Sequence, residues 1–333
     1  MSGTIRFGIA LQTNKTPDEY VAQARLIDQY AFDVVSVYND LFFQPALGPL
    51  VVMAPHLHRA QVGPAALNPY TLHPVEIAGQ IAFLDRLTGG RAYLGLARGS
   101  WLERLGVPQP RPVQTLREAA LLVGCLLGGN TAGFEGRVFH LDAGSSLQYA
   151  PLRSSVPLTI GTWGGQTARM AGEIADEIKI GGSANAAMGE SLGAYVRAGE
   201  ARAGRPPGSV GICLGAVTVV AEDRASARRA ARSEVALYAP VVARFDPSLG
   251  DPGWLSRIAE AARRGDYATV ADLIPDSVLD RLAFAGTPAD VVRQVEDLAS
   301  AGITRVEFGT PHGLDSLDGI RLLGERVLPS FSI

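Results

Sequence analysis

The chain has 333 residues, of which 47% are hydrophobic and 19% charged, and its formal net charge at pH 7 is −3. This composition is typical of a globular protein with a sizeable core, and the length allows either one α/β barrel or two domains. Because the basic residues are scattered, we expect no nucleic-acid partner and no binding to an acidic membrane surface.

Targeting and redox signals favour a cytoplasmic protein. The sequence shows neither a signal peptide nor an apolar run long enough to span a bilayer. Its two cysteines, Cys125 and Cys213, lie far apart in apolar segments, which suits buried thiols in a reducing compartment. We therefore expect a cytoplasmic location and no membrane partner.

Strand and helix signals alternate along the chain. The first helix is predicted after Thr16, where a capping hydroxyl precedes Pro17. Strands are predicted at 6–11, 34–37, 62–67, 92–97, 158–161, 178–180, 212–220 and 305–308, and further helices at 47–54, 74–87, 112–127 and 167–175. Eight strands that are mostly followed by helices favour a parallel α/β sheet. Closure into a single (β/α)8 TIM barrel is the simplest arrangement.

Two intervals are longer than ordinary loops. Residues 128–157, after the fourth strand, are predicted to form an elaborated loop, and residues 221–286, between the seventh and eighth strands, are mostly helical. Insertions of this size commonly shape substrate access, and helix packing in an oligomer is the other use. Because no repeat or low-complexity linker is visible, residues 1–333 are predicted to form one domain.

The third strand contains a proline near its end. Pro64 removes a hydrogen-bond donor from an apolar run, so the backbone at Gly63-Pro64 is predicted to depart from regular strand geometry. The carboxyl ends of barrel strands are where catalytic groups lie. The alternative is an ordinary strand end followed by a turn.

A second signal is the turn from the fifth strand into a helix at Gly164-Gly165. Free backbone N–H groups at a helix N-terminus bind phosphate. A tight strand-to-helix turn would need glycine for the same geometric reason, so both interpretations stay open here.

Metal and serine chemistry have little support in the sequence. His56 and His58 are two residues apart, no H-x-x-x-H or C-x-x-C spacing occurs, and no Gly-x-Ser-x-Gly turn is present. We expect no bound metal. The remaining interpretation is an organic cofactor that bears a phosphate and carries the chemistry itself.

Several segments together resemble a known family. They are NDLFF at 39–43, GPAALNPYTLHP at 63–74, LDRLTGGRAYLGLARG at 84–99, AGEIAD at 171–176, FAGTPAD at 284–290 and GITRVEF at 302–308. In this order they resemble the bacterial luciferase-like flavin and deazaflavin oxidoreductases, and within them the coenzyme F420-dependent methylenetetrahydromethanopterin reductase group. The resemblance implies a TIM barrel with the cofactor ring at its C-terminal face, and a homodimer.

The resemblance also implies roles for individual residues. Asp40 would lie beside the deazaflavin ring, and Asn68 would reach the polar edge of the ring or the ribityl chain. The Gly63-Pro64 bond would match a cis peptide bond that bulges under the ring in relatives. The other cofactor contacts would come from the end of the fourth strand and from the phosphate turn, at Ala97, Gly99, Gly164, Gly165, Gln166 and Thr167.

Candidates on the substrate side are fewer. Arg98 would contact the cofactor or an anionic substrate, with a structural salt bridge as the alternative. The candidate catalytic residues are Asp40, His56 and Arg98, and Tyr70 and Trp163 are candidate substrate contacts. For His56, Tyr70 and Trp163, ordinary packing is the alternative.

The resemblance does not identify the substrate. The methanopterin reductases carry acidic residues where this chain has Ala10 and Ser100, so a carboxylate that would assist proton transfer is missing at both positions. We therefore expect an F420-dependent oxidoreductase that passes a hydride between the deazaflavin C5 and a small organic substrate, such as an enone or imine, other than methylenetetrahydromethanopterin. An FMN-dependent monooxygenase and a non-catalytic flavin-binding barrel are the alternatives.

Overall fold

The computed structural model describes residues 5–249 and 251–331. The strands are β1 (Arg6–Leu11), β2 (Val34–Val37), β3 (Gln61–Pro64), β4 (Leu94–Ala97), β5 (Phe134–Glu135), β6 (His140–Leu141), β7 (Leu158–Gly161), β8 (Glu177–Gly181), β9 (Gly211–Val220), β10 (Ala283–Gly286) and β11 (Arg305–Gly313). The main sheet has the order β3-β2-β1-β11-β9-β8-β7-β4, and all of its pairs are parallel. Bridges from Val62 to Ala92 and from Leu67 to Leu96 join the two ends. The predicted TIM barrel is confirmed.

Helices connect the strands on the outside of the barrel. They are α1 (Pro17–Ile27), α2 (Leu47–Met53), α3 (Pro74–Leu87), α4 (Pro112–Leu127), α5 (Gly165–Ile174), α6 (Ala186–Arg202), α7 (Arg224–Val235), α8 (Ala239–Val242), α9 (Pro252–Arg263), α10 (Tyr267–Asp272), α11 (Asp276–Leu282), α12 (Pro288–Ser300) and α13 (Ser316–Leu322). Short 3₁₀ turns lie at Ala54–His56, Leu102–Leu105, Pro247–Leu249 and Leu328–Phe331, and a π turn at Leu323–Val327. None of the helices within the described ranges is both long and apolar enough to cross a bilayer.

Local signals explain where several of these helices begin. Thr16 caps α1 in a capping box with Glu19, as its sequence predicts, and Thr287 does the same for α12 with Asp290. In both helices a proline follows the cap at the first helical position, where its missing N–H has no cost.

The two long intervals differ in structure. Residues 134–141 form the small hairpin of β5 and β6, which the carboxylate of Glu118 on α4 holds by accepting hydrogen bonds from three of its backbone N–H groups. The later interval contains α7 to α11 around a separate apolar cluster that includes Trp254. It also contains β10, which pairs with the second half of β9 and was not among the predicted strands.

Polar side chains fill much of the barrel interior. Glu307, Ser36 and Arg305 are all at most 1% exposed, and Tyr93 is 3% exposed. Barrel interiors are usually packed with branched apolar residues. The large polar side chains fit here because glycines face them: a Cβ on Gly63 would lie 2.6 Å from Cδ1 of the Tyr93 ring, and a Cβ on Gly8 would lie 2.6 Å from the Arg305 guanidinium.

Candidate active site

The backbone bulges directly after β3, whereas Gly63 and Pro64, where the departure was predicted, still pair in register with Ser36 and Val37 of β2. Tyr93 donates its N–H to the carbonyl of Val62, and Leu67 donates its N–H to the carbonyl of Gly95. The chain therefore advances five residues from Val62 to Leu67, while the neighbouring segment advances two, from Tyr93 to Gly95. The extra residues form a bulge at the C-terminal face of the barrel. Ala65 and Ala66 are half-buried there and present only methyl groups.

The predicted position of the cis peptide bond is wrong. The cis bond joins Ala65 to Ala66, whereas the bond before Pro64 is trans, and a second cis bond joins Thr310 to Pro311. Pro64 is the last residue of β3 and its carbonyl oxygen approaches the Cα of Gly95 closely, since a Cβ on Gly95 would clash with it. Gly63 and Pro64 therefore shape the bulge from inside the barrel.

Asp40 follows β2 and lies at the same face. Its Oδ2 accepts a hydrogen bond of 2.8 Å from Gln12 Nε2, at the end of β1. Gln12 is fixed in turn, because its backbone N–H donates to Thr310 Oγ1 at 2.9 Å and its side-chain oxygen accepts from the N–H of Thr13 at 2.8 Å. Burial raises the pKa of Asp40, and the Gln12 hydrogen bond and the Lys179 cation offset only part of that rise.

The start of α5 has the free N–H groups that the sequence predicts. Gly164 is the N-cap residue and supplies no side-chain cap, while its own N–H donates to Thr162 Oγ1 at 2.9 Å. The N–H groups of Gly165, Gln166 and Thr167 form the uncapped first turn. Since α5 follows β7 directly, this turn opens at the C-terminal face and offers an anion site.

Asn68 links the bulge to the end of β4. Its side-chain oxygen accepts hydrogen bonds from Tyr70 N at 3.1 Å and Thr71 N at 3.0 Å, which fixes the side chain. A Cβ on Gly99 would lie 3.1 Å from the Asn68 side chain, so these two residues are in contact. Ala97, the last residue of β4, is half-buried beside them.

The helical insertion covers part of this face with aromatic rings. Trp163, after β7, donates its indole N–H to the carbonyl of Gly181 at 2.7 Å and stacks on Phe245 of the insertion at a centroid distance of 5.7 Å. Trp101, after β4, packs against Tyr238 of the insertion at 6.0 Å. Through these two pairs, residues of the insertion contact the segments that follow β4 and β7.

Three predicted residues do not join this cluster. His56 lies in the turn that leads into β3, at the opposite, N-terminal face of the barrel. Arg98 is exposed and donates to the side chain of Gln109 at 3.0 Å, with no salt bridge to any described residue. Tyr70 donates its hydroxyl hydrogen to the carbonyl of Pro110 at 2.9 Å, which ties two loops together.

Two clefts lie elsewhere. One of about 510 Å³ is open to solvent and lined by residues of the insertion around Trp254, and one of about 260 Å³ lies at the N-terminal mouth of the barrel, around Arg305 and Glu177. Neither contains the bulge, Asp40 or the first turn of α5. We place the site at the C-terminal face because the free donors and the bulge converge there.

Sequence reasoning missed several residues of the site. Gln12, Trp101 and Tyr238 each touch the cluster, but no motif marks them, and Tyr238 is 198 residues from Asp40 in the chain. Lys179 could have been singled out from the sequence, because the chain contains only two lysines. In the described part of the chain no group of His, Cys, Asp and Glu has the arrangement of a metal site.

The comparisons with known proteins agree with this geometry. The family model of luciferase-like monooxygenases matches residues 3–305. The chain belongs to the luciferase-like monooxygenase family. It is therefore an enzyme, an oxidoreductase of the flavin and deazaflavin type.

Individual relatives of this family member point to the deazaflavin branch. The 5,10-methylenetetrahydromethanopterin reductase of Archaeoglobus fulgidus is 29% identical over 98% of this chain and 99% of that protein. The F420-dependent glucose-6-phosphate dehydrogenase of Nakamurella multipartita is 26% identical over 98% of this chain and 96% of that protein. Among solved structures, the coenzyme F420-dependent tetrahydromethanopterin reductase of Methanopyrus kandleri superposes with a TM-score of 0.90, at 25% identity, over 99% of this chain and all of that one.

Proposed function

We propose that this enzyme is a coenzyme F420-dependent oxidoreductase that transfers a hydride between the deazaflavin C5 and a small organic substrate. The observation that carries the proposal is the uncapped first turn of α5, which opens at the same barrel face as the bulge of β3. A phosphate-bearing planar cofactor needs both a phosphate site and a flat surface for its ring. The relatives named above support F420 as the cofactor rather than FMN.

The side chains present fit such a cofactor. Gly165, Gln166 and Thr167 would donate their N–H groups to its phosphate, with Gly164 giving access to the turn. Ala65 and Ala66 would support the ring, since neither has a side chain beyond Cβ. Asn68 would reach the polar edge of the ring with its side-chain nitrogen, which meets no acceptor within the described part of the chain. When bound, the cofactor would supply or accept the hydride.

The other residues of the site would position and enclose the reactants. Asp40 would lie beside the ring, where Gln12 orients its carboxylate. The Trp163–Phe245 and Trp101–Tyr238 pairs would keep water from the reacting atoms. Ala97 and Gly99 leave room for the ring at the end of β4, since neither has a side chain beyond Cβ.

We propose that the substrate is not methylenetetrahydromethanopterin. The methanopterin reductases that this chain resembles carry an acid at the position of Ala10. Here Ala10 is fully buried, and its carbonyl accepts a hydrogen bond of 3.2 Å from Thr310 Oγ1. Ser100 is half-buried after β4 and likewise offers no carboxylate. A substrate that depends on an acid at either position would not be reduced efficiently.

Parallel titrations of the purified protein with F420 and with FMN test the proposal. We expect quenching of the F420 fluorescence with a dissociation constant well below that for FMN. A preference for FMN would replace the proposal with oxygen-dependent monooxygenase chemistry. Binding of neither cofactor would favour a barrel without catalytic function.

We also propose that the enzyme is a homodimer. Exposed apolar side chains follow the outer face of α3, where Phe83 and Leu87 are 53% and 37% exposed and stand one helical turn apart. Tyr149 lies beside the same helix, within 3.3 Å of the Cβ position of Gly79. Sedimentation equilibrium of the wild type and of Phe83→Glu tests this: we expect a dimer that the substitution dissociates, and a wild-type monomer would contradict the proposal.

A further inference from the structure

We propose that Tyr38 is part of the cofactor site and donates its hydroxyl hydrogen to a carbonyl oxygen on the edge of the bound ring. This inference rests on the proposed function, which puts a planar deazaflavin at the C-terminal face. It follows from the direction of the Tyr38 side chain, from its contacts, and from a hydroxyl that has no hydrogen-bond partner in the described part of the chain.

The alternation of β2 points Tyr38 into the barrel. Two residues earlier, the Ser36 hydroxyl lies 2.6 Å from the carboxylate of Glu307 and 2.7 Å from the hydroxyl of Tyr93, which are interior side chains. Since side chains two apart in a strand share a face, Tyr38 continues this interior row at the C-terminal end of β2. Its backbone N–H donates to the carbonyl of Leu11 at 3.0 Å, so pairing with β1 extends to this residue.

Two contacts show how far the Tyr38 side chain reaches across the barrel. A Cβ on Gly309 would lie 2.6 Å from the Tyr38 hydroxyl oxygen, and Gly309 is on β11, which β1 separates from β2. The Lys179 ammonium of β8 lies 5.1 Å from the centre of the ring. Only glycine permits so close an approach to the backbone at position 309. The hydroxyl therefore lies inside the ring of strands.

The Tyr38 hydroxyl lies at the C-terminal mouth of the barrel. Gly309 is followed by Thr310, whose Oγ1 accepts the backbone N–H of Gln12 at 2.9 Å, and Gln12 in turn orients Asp40. Tyr38 is half-buried, whereas the interior side chains beneath it are almost fully buried. Its accessible surface therefore faces the mouth, where it forms part of the floor of the candidate site.

Tyr38 also borders the surface proposed to support the ring. β2 and β3 pair in register, with Val37 opposite Pro64, and the carbonyl of Val37 accepts the N–H of Ala65 at 2.7 Å. The bulge therefore begins beside Tyr38. A flat molecule that lies on Ala65 and Ala66 would present its edge to the floor of the mouth. The substrate would stack on the outer face of the ring, farther from this floor, so the hydroxyl would meet the cofactor.

The hydroxyl of Tyr38 is free to donate. It makes no hydrogen bond to a described residue, and the carboxylate of Asp40 accepts from Gln12 instead. A phenol keeps its hydrogen at neutral pH. A ring over the mouth would remove this hydroxyl from water, and a donor taken out of water without an acceptor is costly. The ligand must therefore bring an acceptor, and a ring carbonyl oxygen meets that need.

Neighbouring polar side chains do not take this position. Lys179 donates to Glu307 and contacts the face of the Tyr38 ring, which leaves the hydroxyl unengaged. Asn68 lies on the other side of the bulge, in contact with Gly99 after β4. Tyr38 on the β2 side and Asn68 on the β4 side would therefore contact different parts of the ring.

The test compares Tyr38→Phe with the matched control Tyr267→Phe. The first substitution removes only the hydroxyl and keeps the ring beside Lys179, and the second removes the hydroxyl of an exposed tyrosine on α10. Each protein is titrated with F420 and with FMN, and the Raman carbonyl bands of the bound cofactor are recorded. The thermal unfolding midpoint of each apoprotein is measured as well.

We expect Tyr38→Phe to weaken F420 binding by about 5- to 10-fold, which corresponds to the loss of one neutral hydrogen bond. A carbonyl band of the bound ring should move to higher frequency, and Tyr267→Phe should match the wild type in both measurements. The unfolding midpoint of the Tyr38→Phe apoprotein should not fall, because the hydroxyl has no partner in the described part of the chain. Equal affinity, an unchanged carbonyl band or a lower apoprotein midpoint would overturn the assignment.

The role of Tyr38 and the proposed function fail in different ways. If the wild type binds F420 and Tyr38→Phe binds it equally well, only the role of Tyr38 is overturned. If the wild type binds FMN and not F420, the F420-dependent function is refuted, and the FMN titration decides the role of Tyr38 by the same comparison. Binding of neither cofactor to the wild type would overturn both.

Discussion

Lys179 and Glu307 form an ion pair inside the barrel, on β8 and β11, with side chains 10% and 0% exposed. Arg305 completes a network of four charges: it contacts Glu307 at 2.7 Å and Glu177 at 2.5 Å. The two cations balance the two carboxylates, so no charge in the network is left uncompensated. The Lys179 ammonium also lies 5.1 Å from the centre of the Tyr38 ring. Its charge lowers the pKa of Asp40 against the effect of burial, which connects this network to the candidate active site.

Glu307→Gln should destabilise the protein by about 3–5 kcal/mol, because it leaves Lys179 without its buried counter-charge. Denaturant unfolding of wild type and variant measures the difference. Lys179→Met combined with Glu307→Gln removes one charge of each sign and should recover part of the loss. A double variant as unstable as the sum of the two single variants would contradict the pairing.

The same carboxylate should make stability depend on pH in the acid range. The neighbouring cations lower the pKa of Glu307 to about 2 despite its burial, against about 4.3 for an unfolded glutamate. The native state therefore binds fewer protons than the unfolded state between these values. The stability that the ionised Glu307 contributes is complete above about pH 4.3 and is lost as the pH falls toward 2. Unfolding free energies measured from pH 5 to pH 3 should fall less steeply for Glu307→Gln than for the wild type.

Asp40 should have the opposite effect on stability. Burial raises its pKa, so between the unfolded and folded values the native state binds more protons, and its stability contribution is lost as the pH rises through the folded pKa. Asp40→Asn keeps an acceptor for Gln12 and removes the charge, so thermal unfolding at pH 8 should show a variant at least as stable as the wild type. A clear loss of stability in Asp40→Asn at pH 8, with none at pH 4, would show that the ionised form is favoured in the native state.

The sequence predicted the barrel because its eight barrel strands and most of the helices between the early strands carry local signals. The tight turn into α5 was predicted from Gly164 and Gly165, since backbone geometry depends on local residue type. The irregular backbone was predicted at Gly63-Pro64 but begins directly after it, because Gly63 and Pro64 still pair in register with β2. The cis bond was placed two residues too early because the family resemblance was matched to Gly63-Pro64, whereas the cis bond joins Ala65 to Ala66.

Contacts between distant segments could not be predicted. Tyr238 meets Trp101 only because the insertion folds back over the barrel, and Lys179 meets Glu307 only because β8 and β11 project side chains into one interior. His56 was a reasonable candidate by residue type, but its place before a strand, rather than after one, puts it at the N-terminal face.

Glu118→Gln should loosen the β5–β6 hairpin without unfolding the barrel. The carboxylate accepts hydrogen bonds from the N–H groups of Arg137, Val138 and Phe139 at 2.8–3.0 Å. An amide in its place would direct N–H hydrogens at these donors, at a cost of about 1–3 kcal/mol. Hydrogen exchange should accelerate at residues 134–141 and stay unchanged in α4, and equal protection in both proteins would contradict this role of Glu118.

Gly164→Asp should abolish phosphate binding while preserving the fold. The backbone of Gly164 has φ −109° and ψ 132°, which any residue adopts, and the nearest atom to an added Cβ is Thr162 Oγ1 at 3.9 Å. The new carboxylate would accept hydrogen bonds from the first turn of α5, so stability should stay the same or rise by about a few tenths of a kcal/mol. Gly165 is unsuitable for this test, because a Cβ there would lie 2.5 Å from the Tyr195 ring.

The same substitution should weaken F420 binding by about 100-fold or more, since hydrogen bonds to a charged phosphate contribute about 1.5–3 kcal/mol each. Gly164→Ala is the matched control, because it adds the Cβ without a competing carboxylate and should keep its affinity. A deazaflavin that lacks the phosphate arm should bind the wild type and Gly164→Asp equally. If instead Gly164→Asp binds intact F420 as tightly as the wild type, the phosphate does not lie at the start of α5, and the cofactor must be held by other residues of the barrel face.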